Sequence, residues 1–592
     1  HSIAAACPLD PAWRKQVQRM YRTYARLKPT RMWLDDDVRM TLRADMHSPC
    51  VCNVCLGEMK RRTGRQFTRG ELVKAILADP SDVAASVSER TPRPLAHARG
   101  YTNPVRNAWL DFQEELERGI ISELVRAIHE ESPDTQIGFM FSPLEIHSAE
   151  GRRWEALIAA LDTPRPFCRP MIGPYTEMTG LGIASALNAT RLAQAALPPN
   201  VVLAPEIENY PHTRFTKSAA LVRADMILGH LMGIHEMTFA VFRSSGRLDL
   251  ELRRENVWPR TLAELKPMLQ AIADLGITRD QARGVSLFWH EETCRHTRGV
   301  AGEPKPIFLY RERPWDQALP LLGIATRYGV GDVTALSGEQ VDCLDDAALR
   351  SVFSRGVVLD ARAAESLLLR GKGELAGVRR RARDVGVAIE TIEDKAFGGI
   401  TGDPMNDRWL GTAWQFEWMP GARIISRLRD FEGRRTGHGV VLFENSLGGR
   451  VAVLPFDGQV REVFSLGVGF PPLASPSFLC YTRQAQWRDV LEWLGRAPLP
   501  LFVPEAPSVY PLLVEQPGRL IVGVANLLAD VIPSLKLRIR KPSFPIRRVR
   551  VLSSTGEWRI CRSRSRSVAK GTLTIETGLA PGYLDVATLI LE

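Results

Sequence analysis

The chain has 592 residues, which at roughly 100–200 residues per domain implies about three to four domains. Hydrophobic residues make up 45% and charged residues 24%, a globular mixture that excludes collagen-like, disordered and disulfide-knotted chains. The net charge of +10 is local, because twelve Lys/Arg and one acid, Glu557, lie between Lys536 and Lys570. The remainder is near neutral. The interleaved Val549, Val551 and Leu552 make the basic stretch read as a solvated β-domain surface, so nucleic acid is not expected as a partner. No apolar run approaches the roughly 18 residues of a bilayer span, so no membrane association is expected. The first residues, His1 to Pro8, show neither a basic n-region nor an apolar h-region, and there is no initiator Met. Nine cysteines, an odd number and widely spaced, argue against a secreted disulfide framework and for a reducing, cytoplasmic compartment.

In chain order, Asp10-Pro11 predicts a helix start, with Asp as N-cap and Pro at N1. Trp13, Val17, Met20, Tyr21 and Tyr24 follow at helical spacing as one apolar face. Met32-Trp33-Leu34 reads as a strand running into Asp35-Asp36-Asp37. The alternation continues with helices at 114–128, 153–161, 183–196, 218–232 and 262–275, and strands at 136–141, 167–170, 201–208 and 237–242. Five βα units in about 250 residues, with continuous apolar strands, imply a parallel sheet covered on both faces. A closed (β/α)8 barrel needs eight units, so a barrel here would have about three strands before His1.

A second α/β region is expected over 284–497, with buried strands at 307–310, 333–336, 356–360 and 451–455 and a closing helix at 483–494. Short alternating strands rich in Pro and Gly predict a small antiparallel β-domain over 498–592. The expected fold class is therefore α/β, with a partial TIM barrel over 1–283.

Cys50-Val51-Cys52-Asn53-Val54-Cys55 is a C-x-C-x-x-C loop. Three thiolates so closely spaced can wrap one zinc ion, and a fourth ligand must come from elsewhere, Cys7 or His47. Four such ligands leave no open position, so the metal would be structural.

Cys7-Pro8 opening a helix, a strand ending in an acidic pair, and then this cysteine loop resemble the family 42 glycoside hydrolases, the β-galactosidases of a large retaining-hydrolase clan. The resemblance implies that Cys7 joins Cys50, Cys52 and Cys55 on a structural zinc. It places the acid/base at Asp36-Asp37, where the family has Asn-Glu, and the nucleophile at Glu208 of Glu208-Asn209-Tyr210-Pro211. Phe242-Arg243-Ser244-Ser245 is similar to the ending of the family's last barrel strand. The middle region resembles its amidotransferase-like trimerisation domain, implying a homo-oligomer, and the tail resembles its small β-sandwich. The β-mannosidase-like family 164 has a similar layout. A chain that binds carbohydrate without turnover is the reading from another class.

The residues support the same chemistry. Glycoside hydrolysis uses two carboxyls flanking the scissile bond, and barrel enzymes place them at the C-terminal ends of strands. Glu208 ends its strand, and Glu206, on the same strand face, could orient it or hold an arginine. Mutual repulsion in the Asp35-Asp36-Asp37 run is expected to raise at least one pKa, as a general acid requires, and a pairing of Arg39 with one acid would oppose that shift. Asp37 is the first choice for acid/base and Asp36 the second. Trp33, Tyr175, Tyr210, Phe242 and Trp289 are the candidate sugar platforms; Arg169, Glu177, Asn209 and His212 are candidate hydroxyl partners. His290-Glu291-Glu292 and His235-Glu236 lack H-E-x-x-H spacing and read as surface or capping groups.

Overall fold

A computed structural model of the chain describes all residues except 1–5, 36–49, 81–101, 142, 178–179, 210–215, 241–257, 299–312, 407–410, 458–461, 464–468, 471–477 and 569–570. The first half alternates helices and short strands. In order they are α1 (Pro11–Ala25), β1 (Arg31–Leu34), α2 (Asn53–Thr63), α3 (Arg69–Leu77), α4 (Pro104–His129), β2 (Gln136–Met140), α5 (Leu144–Ala149), α6 (Trp154–Ala159), β3 (Phe167–Arg169), α7 (Gly180–Ala196), β4 (Val202–Leu203), β5 (Glu206–Glu208), α8 (Ala219–Leu231), β6 (Thr238–Ala240) and α9 (Trp258–Ala273).

Strands β1-β2-β3-β4 form a parallel sheet in sequence order, and β5 pairs in parallel with β6. The two sheets are continuous, because Met171 bridges Glu206 and the Ile172 amide donates to the Glu206 carbonyl at 3.2 Å. The register aligns Trp33 with Gly138 and Gly138 with Phe167, and Phe167 with Val202. Side chains alternate along each strand, so Trp33, Phe167, Arg169, Glu206 and Glu208 share one face. Met32, Leu34, Ile137, Phe139 and Cys168 take the other and are buried against α4 and its neighbours. Gly138 leaves room for the Phe167 ring, which a Cβ there would approach to 2.1 Å. Trp33 packs edge-on against the same ring with centroids 4.3 Å apart.

Local chemistry sets several boundaries. Asp10 caps α1 by accepting from the Ala12 and Trp13 amides, with Pro11 at the first position as expected. The helix rests on Trp13, Val17, Tyr21 and Ala25, an i, i+4 row, so Met20 and Tyr24 turn off that row and are exposed, contrary to the single five-residue face. α4 begins ten residues before the predicted 114, because Asn103 accepts from the Val105 and Arg106 amides and Pro104 follows it. The expected continuous strand over 201–208 is two pieces, since Pro205 has no amide to donate to a ladder. Helices α2 and α3 lie between β1 and α4, where no helix was expected.

The middle region forms a seven-stranded sheet ordered Arg423–Ile424, Val441–Glu444, Arg450–Val453, Gly356–Leu359, Val333–Leu336, Val285–Leu287 and Thr326–Tyr328. The last five are parallel and the first two join antiparallel. Helix Tyr481–Gly495 packs on it through Trp487, Val490, Leu491 and Leu494. The predicted strand at 307–310 lies outside the described residues, and a set of small antiparallel ladders between Val378 and His438 was not foreseen. The tail folds into a four-stranded and a five-stranded sheet whose ladders are all antiparallel. Among the described residues no helix is long and apolar enough to cross a membrane.

Candidate functional site

Glu206 and Glu208 stand two residues apart on β5, on the sheet face turned away from the α4 side. Glu206 is buried and Glu208, at the strand's C-terminal end, is half-buried. Glu206 is held from two sides: Arg169 Nη1, at the end of β3, lies 2.8 Å from its Oε1, and the Tyr175 hydroxyl donates to its Oε2 at 3.1 Å. Glu206 therefore does hold an arginine. Burial, followed by the charges of Glu206 and Glu208, pushes the Tyr175 phenol far above its ordinary pKa, so it stays a proton donor. Asn209, next in the chain after Glu208, is almost wholly buried.

Beneath the Tyr175 loop, Lys217 Nζ and Asp225 Oδ2 form a fully buried pair at 2.8 Å. Burial pushes the Asp225 carboxyl up to about 6, opposed by Lys217. Gly173 takes φ 64° directly against this carboxylate, where a Cβ would lie 2.2 Å from Oδ1. The pair thus pins both the segment before Tyr175 and the segment leading into α8. An isolated acid in the apolar run Ala219–Leu231 was the available signal for it.

Of the other candidate residues, Trp33 lines the same face, and Trp289 is half-buried against the first core. Asp36, Asp37, Arg39, Tyr210, His212 and Phe242 lie outside the described residues, as does His47. Glu177 is not a free hydroxyl partner: its carboxylate accepts from the Ser218 amide at 2.9 Å and the Ser218 hydroxyl at 3.0 Å, capping α8. The two metal-like pairs are capping and surface groups, as expected. Glu291 accepts from the Trp154 amide at the start of α6 at 3.0 Å, and Glu236 pairs with Arg31 at 2.6 Å.

Replacing Arg169 by Met would leave the Glu206 carboxylate with Tyr175 alone in a buried position. Breaking a buried pair costs about 3–5 kcal/mol, and because Arg169 keeps 23% side-chain exposure the low end applies. Urea denaturation should show Arg169→Met less stable by about 3 kcal/mol. Adding Glu206→Gln should recover part of the loss, since the neutral amide needs no counter-ion.

The second constellation is the cysteine cluster. The sulfurs of Cys7, Cys50, Cys52 and Cys55 all lie within 4.8 Å of one another. Cys7 and Cys55 are 3.7 Å apart, and Cys52 and Cys55 are 3.6 Å apart. A tetrahedron with metal–sulfur bonds of about 2.3 Å has edges of about 3.8 Å, so the four thiols can hold a metal ion. The motif is not wholly a loop: Cys52 is the N-cap of α2 and Cys55 is buried in its first turn. Hydrogen bonding, chiefly from Cys55, lowers Cys50 to about 5, while burial raises Cys7 to about 11. A bound cation would draw all four thiols into the thiolate state.

Glu58 ties α2 together by pairing with Arg61 and, at 2.7 Å, with Arg62. Hydrogen bonds from Arg61, then from Arg62, lower its carboxyl to about 2. A depressed acid stabilises the fold above its unfolded pKa and loses that contribution as pH falls through the folded value. The Tm advantage of wild type over Glu58→Gln should therefore be full above about pH 4.5 and vanish as pH approaches about 2.

No protein-family model matches the chain, and no curated protein matches its sequence. Solved structures do. Over 100% of this chain and 84% of its own length, the β-galactosidase from Bacillus circulans sp. alkalophilus superposes with a TM-score of 0.58 at 13% identity. The β-galactosidase from Rahnella sp. R3 gives 0.57 at 13% identity, over 100% and 83%. A family 42 β-galactosidase from G. stearothermophilus gives 0.55 at 11%, over 100% and 83%. The fold is a divergent form of the family 42 β-galactosidase fold. At such identities the likeness speaks for the fold alone; the chemistry has to be argued from the side chains.

Proposed function

We propose that the chain is a retaining glycoside hydrolase acting on β-glycosides, with Glu208 as nucleophile and Asp37 as acid/base (Asp36 the second choice). The observation that carries this reading is the placement of Glu208 at the C-terminal end of β5, one step above a buried layer in which Arg169 and Tyr175 hold Glu206. Arg169 and Tyr175 occupy the Glu206 oxygens, and Glu208 is the carboxylate at the strand end. The likeness of fold to β-galactosidases supports the same reading, as does its consistency with a (β/α) barrel, where strand ends carry the chemistry.

In the first step a Glu208 oxygen attacks the anomeric carbon as the bond to the leaving oxygen breaks, and Asp37 gives that oxygen its proton. The product is a glycosyl ester on Glu208. In the second step Asp37, now a carboxylate, takes a proton from water, and the water oxygen displaces Glu208 from the anomeric carbon. Two inversions return the β configuration. A retaining pair stands about 5–5.5 Å apart. The protonated Tyr175 phenol and the Arg169 guanidinium hold the negative charge of Glu206 below, so that its repulsion of the Glu208 carboxylate is damped. Trp33 supplies an apolar wall, with Tyr210 and Phe242 as further platforms and Asn209 and Arg39 as hydroxyl or carboxylate partners.

In the same reading the four cysteines hold a structural zinc, residues 284–497 form an amidotransferase-like domain mediating a homo-oligomer, a trimer in the manner of the resembled family, and residues 498–592 form a β-sandwich. A panel of nitrophenyl β-glycosides, including the β-galactoside and β-mannoside, tests the activity. Turnover of at least one, with the β-anomer as first product by proton NMR, is expected. Binding without turnover across the panel would leave a carbohydrate-binding protein, and an α-anomer would overturn retention.

A further inference from the structure

We infer that the cleft where the seven-stranded sheet meets the C-terminal β region binds a phosphate or sulfate ester through Arg327, Arg355 and Arg540. The cleft is a cavity of about 360 Å3 at the N-terminal ends of Val285–Leu287, Val333–Leu336 and Gly356–Leu359. Four arginines line it, Arg283, Arg327, Arg355 and Arg540, against one acid, Asp332. Arg283 is already paired with Glu515 at 2.8 Å. The other three have no carboxylate within ion-pair distance among the described residues. Arg327 Nη2 donates to the Val330 carbonyl at 2.8 Å and Arg540 Nε to the Pro498 carbonyl at 2.9 Å, while Arg355 is exposed. The remaining guanidinium donors around the cavity are available to a ligand.

Such an arrangement is costly without an anion. Arg327 is half-buried, and both burial and the like charge of Arg283 push its pKa below the ordinary arginine value. A tetrahedral oxyanion would relieve that repulsion and take two parallel N–H donors from a guanidinium fork. The helix Tyr481–Gly495 ends at this wall, and its negative end could account for cations there. That end is served by another cation: the Trp493 carbonyl accepts from Arg450 at 2.8 Å. The 360 Å3 cavity exceeds a bare oxyanion in size, and Arg327 also borders a second cavity of about 250 Å3. An ester therefore fits better than the free anion.

The test is calorimetric titration of the full chain with inorganic phosphate and inorganic sulfate at fixed ionic strength, with chloride as background. The expected result is saturable binding at one site per chain, weakened at least roughly tenfold in Arg327→Gln/Arg355→Gln and unchanged in Arg559→Gln, a surface arginine paired with Glu557. Tighter phosphate binding assigns a phosphate ester, and tighter sulfate binding a sulfate ester. Should the double variant fail to fold, the exposed Arg355→Gln alone carries the test, with the same weakening in direction. Failure of both oxyanions to saturate, or equal binding by folded variant and wild type, would overturn the inference.

Discussion

Glu208→Gln should lose turnover of whichever nitrophenyl β-glycoside the wild type cleaves, by on the order of ten-thousandfold to a millionfold, the scale on which removal of a covalent nucleophile acts elsewhere. The fold should not suffer. Glu208 is half-buried at the strand end and Gln has nearly the same shape, so the Tm should stay close to that of wild type. Inactivity with intact stability separates a catalytic role from a structural one. Glu208→Ala adds a second arm. With the carboxylate gone, azide can enter from the vacated side, attack the anomeric carbon and expel the leaving oxygen, which Asp37 protonates. One inversion gives an α-glycosyl azide from a β-glycoside. Rescue to that product is expected for Glu208→Ala and not for Asp37→Ala. In Asp37→Ala the loss should be smallest for substrates with good leaving groups, which need no proton. Wild-type turnover by Glu208→Gln would remove the nucleophile assignment.

The second large effect concerns the cysteine cluster. Four sulfurs at tetrahedral spacing join the start of α1 to the start of α2, two segments far apart in sequence. Structural zinc supplies on the order of 10 kcal/mol of binding free energy to the state that holds it. Purified protein should carry one zinc per chain by elemental analysis. Stripping it with a chelator, or replacing Cys55 by Ser, should lower the Tm and release amide exchange first in α1 and α2, while the seven-stranded sheet and the tail stay protected. The thiols must lose protons to bind, so metal affinity should fall as pH falls. Sub-stoichiometric zinc together with an unchanged Tm after chelation would rule out the structural role.

Much of this arrangement was legible from the chain itself, for identifiable reasons. Asp10-Pro11 is a helix start wherever it is solvated, so the α1 boundary came out correctly. The C-x-C-x-x-C spacing limits its sulfurs to one neighbourhood, and the structure brings Cys7 to it across more than forty residues. Glu206 and Glu208 share a face because strands have a period of two. Other features depend on tertiary contacts that no local pattern encodes. The Arg169–Glu206 pair joins two strands, and the Lys217–Asp225 pair exists because Gly173 lets a loop approach α8. Glu177, a candidate hydroxyl partner from sequence, accepts from the Ser218 amide and hydroxyl. Helices α2 and α3 were overlooked because their polar sequences carry weak apolar periodicity; Thr68 and Glu71 form a reciprocal capping box at the start of α3 that could have marked it.

The account can be tested most directly by trapping. A 2-deoxy-2-fluoro β-glycosyl fluoride of the preferred sugar slows the second step more than the first, so the glycosyl ester accumulates on the attacking residue. Proteolysis and mass spectrometry then locate it. The expected result is one fluoroglycosyl group per chain, in the peptide containing Glu208 and on that residue. A label on another carboxylate, or steady turnover of the reagent's parent glycoside with no label formed, would contradict the account.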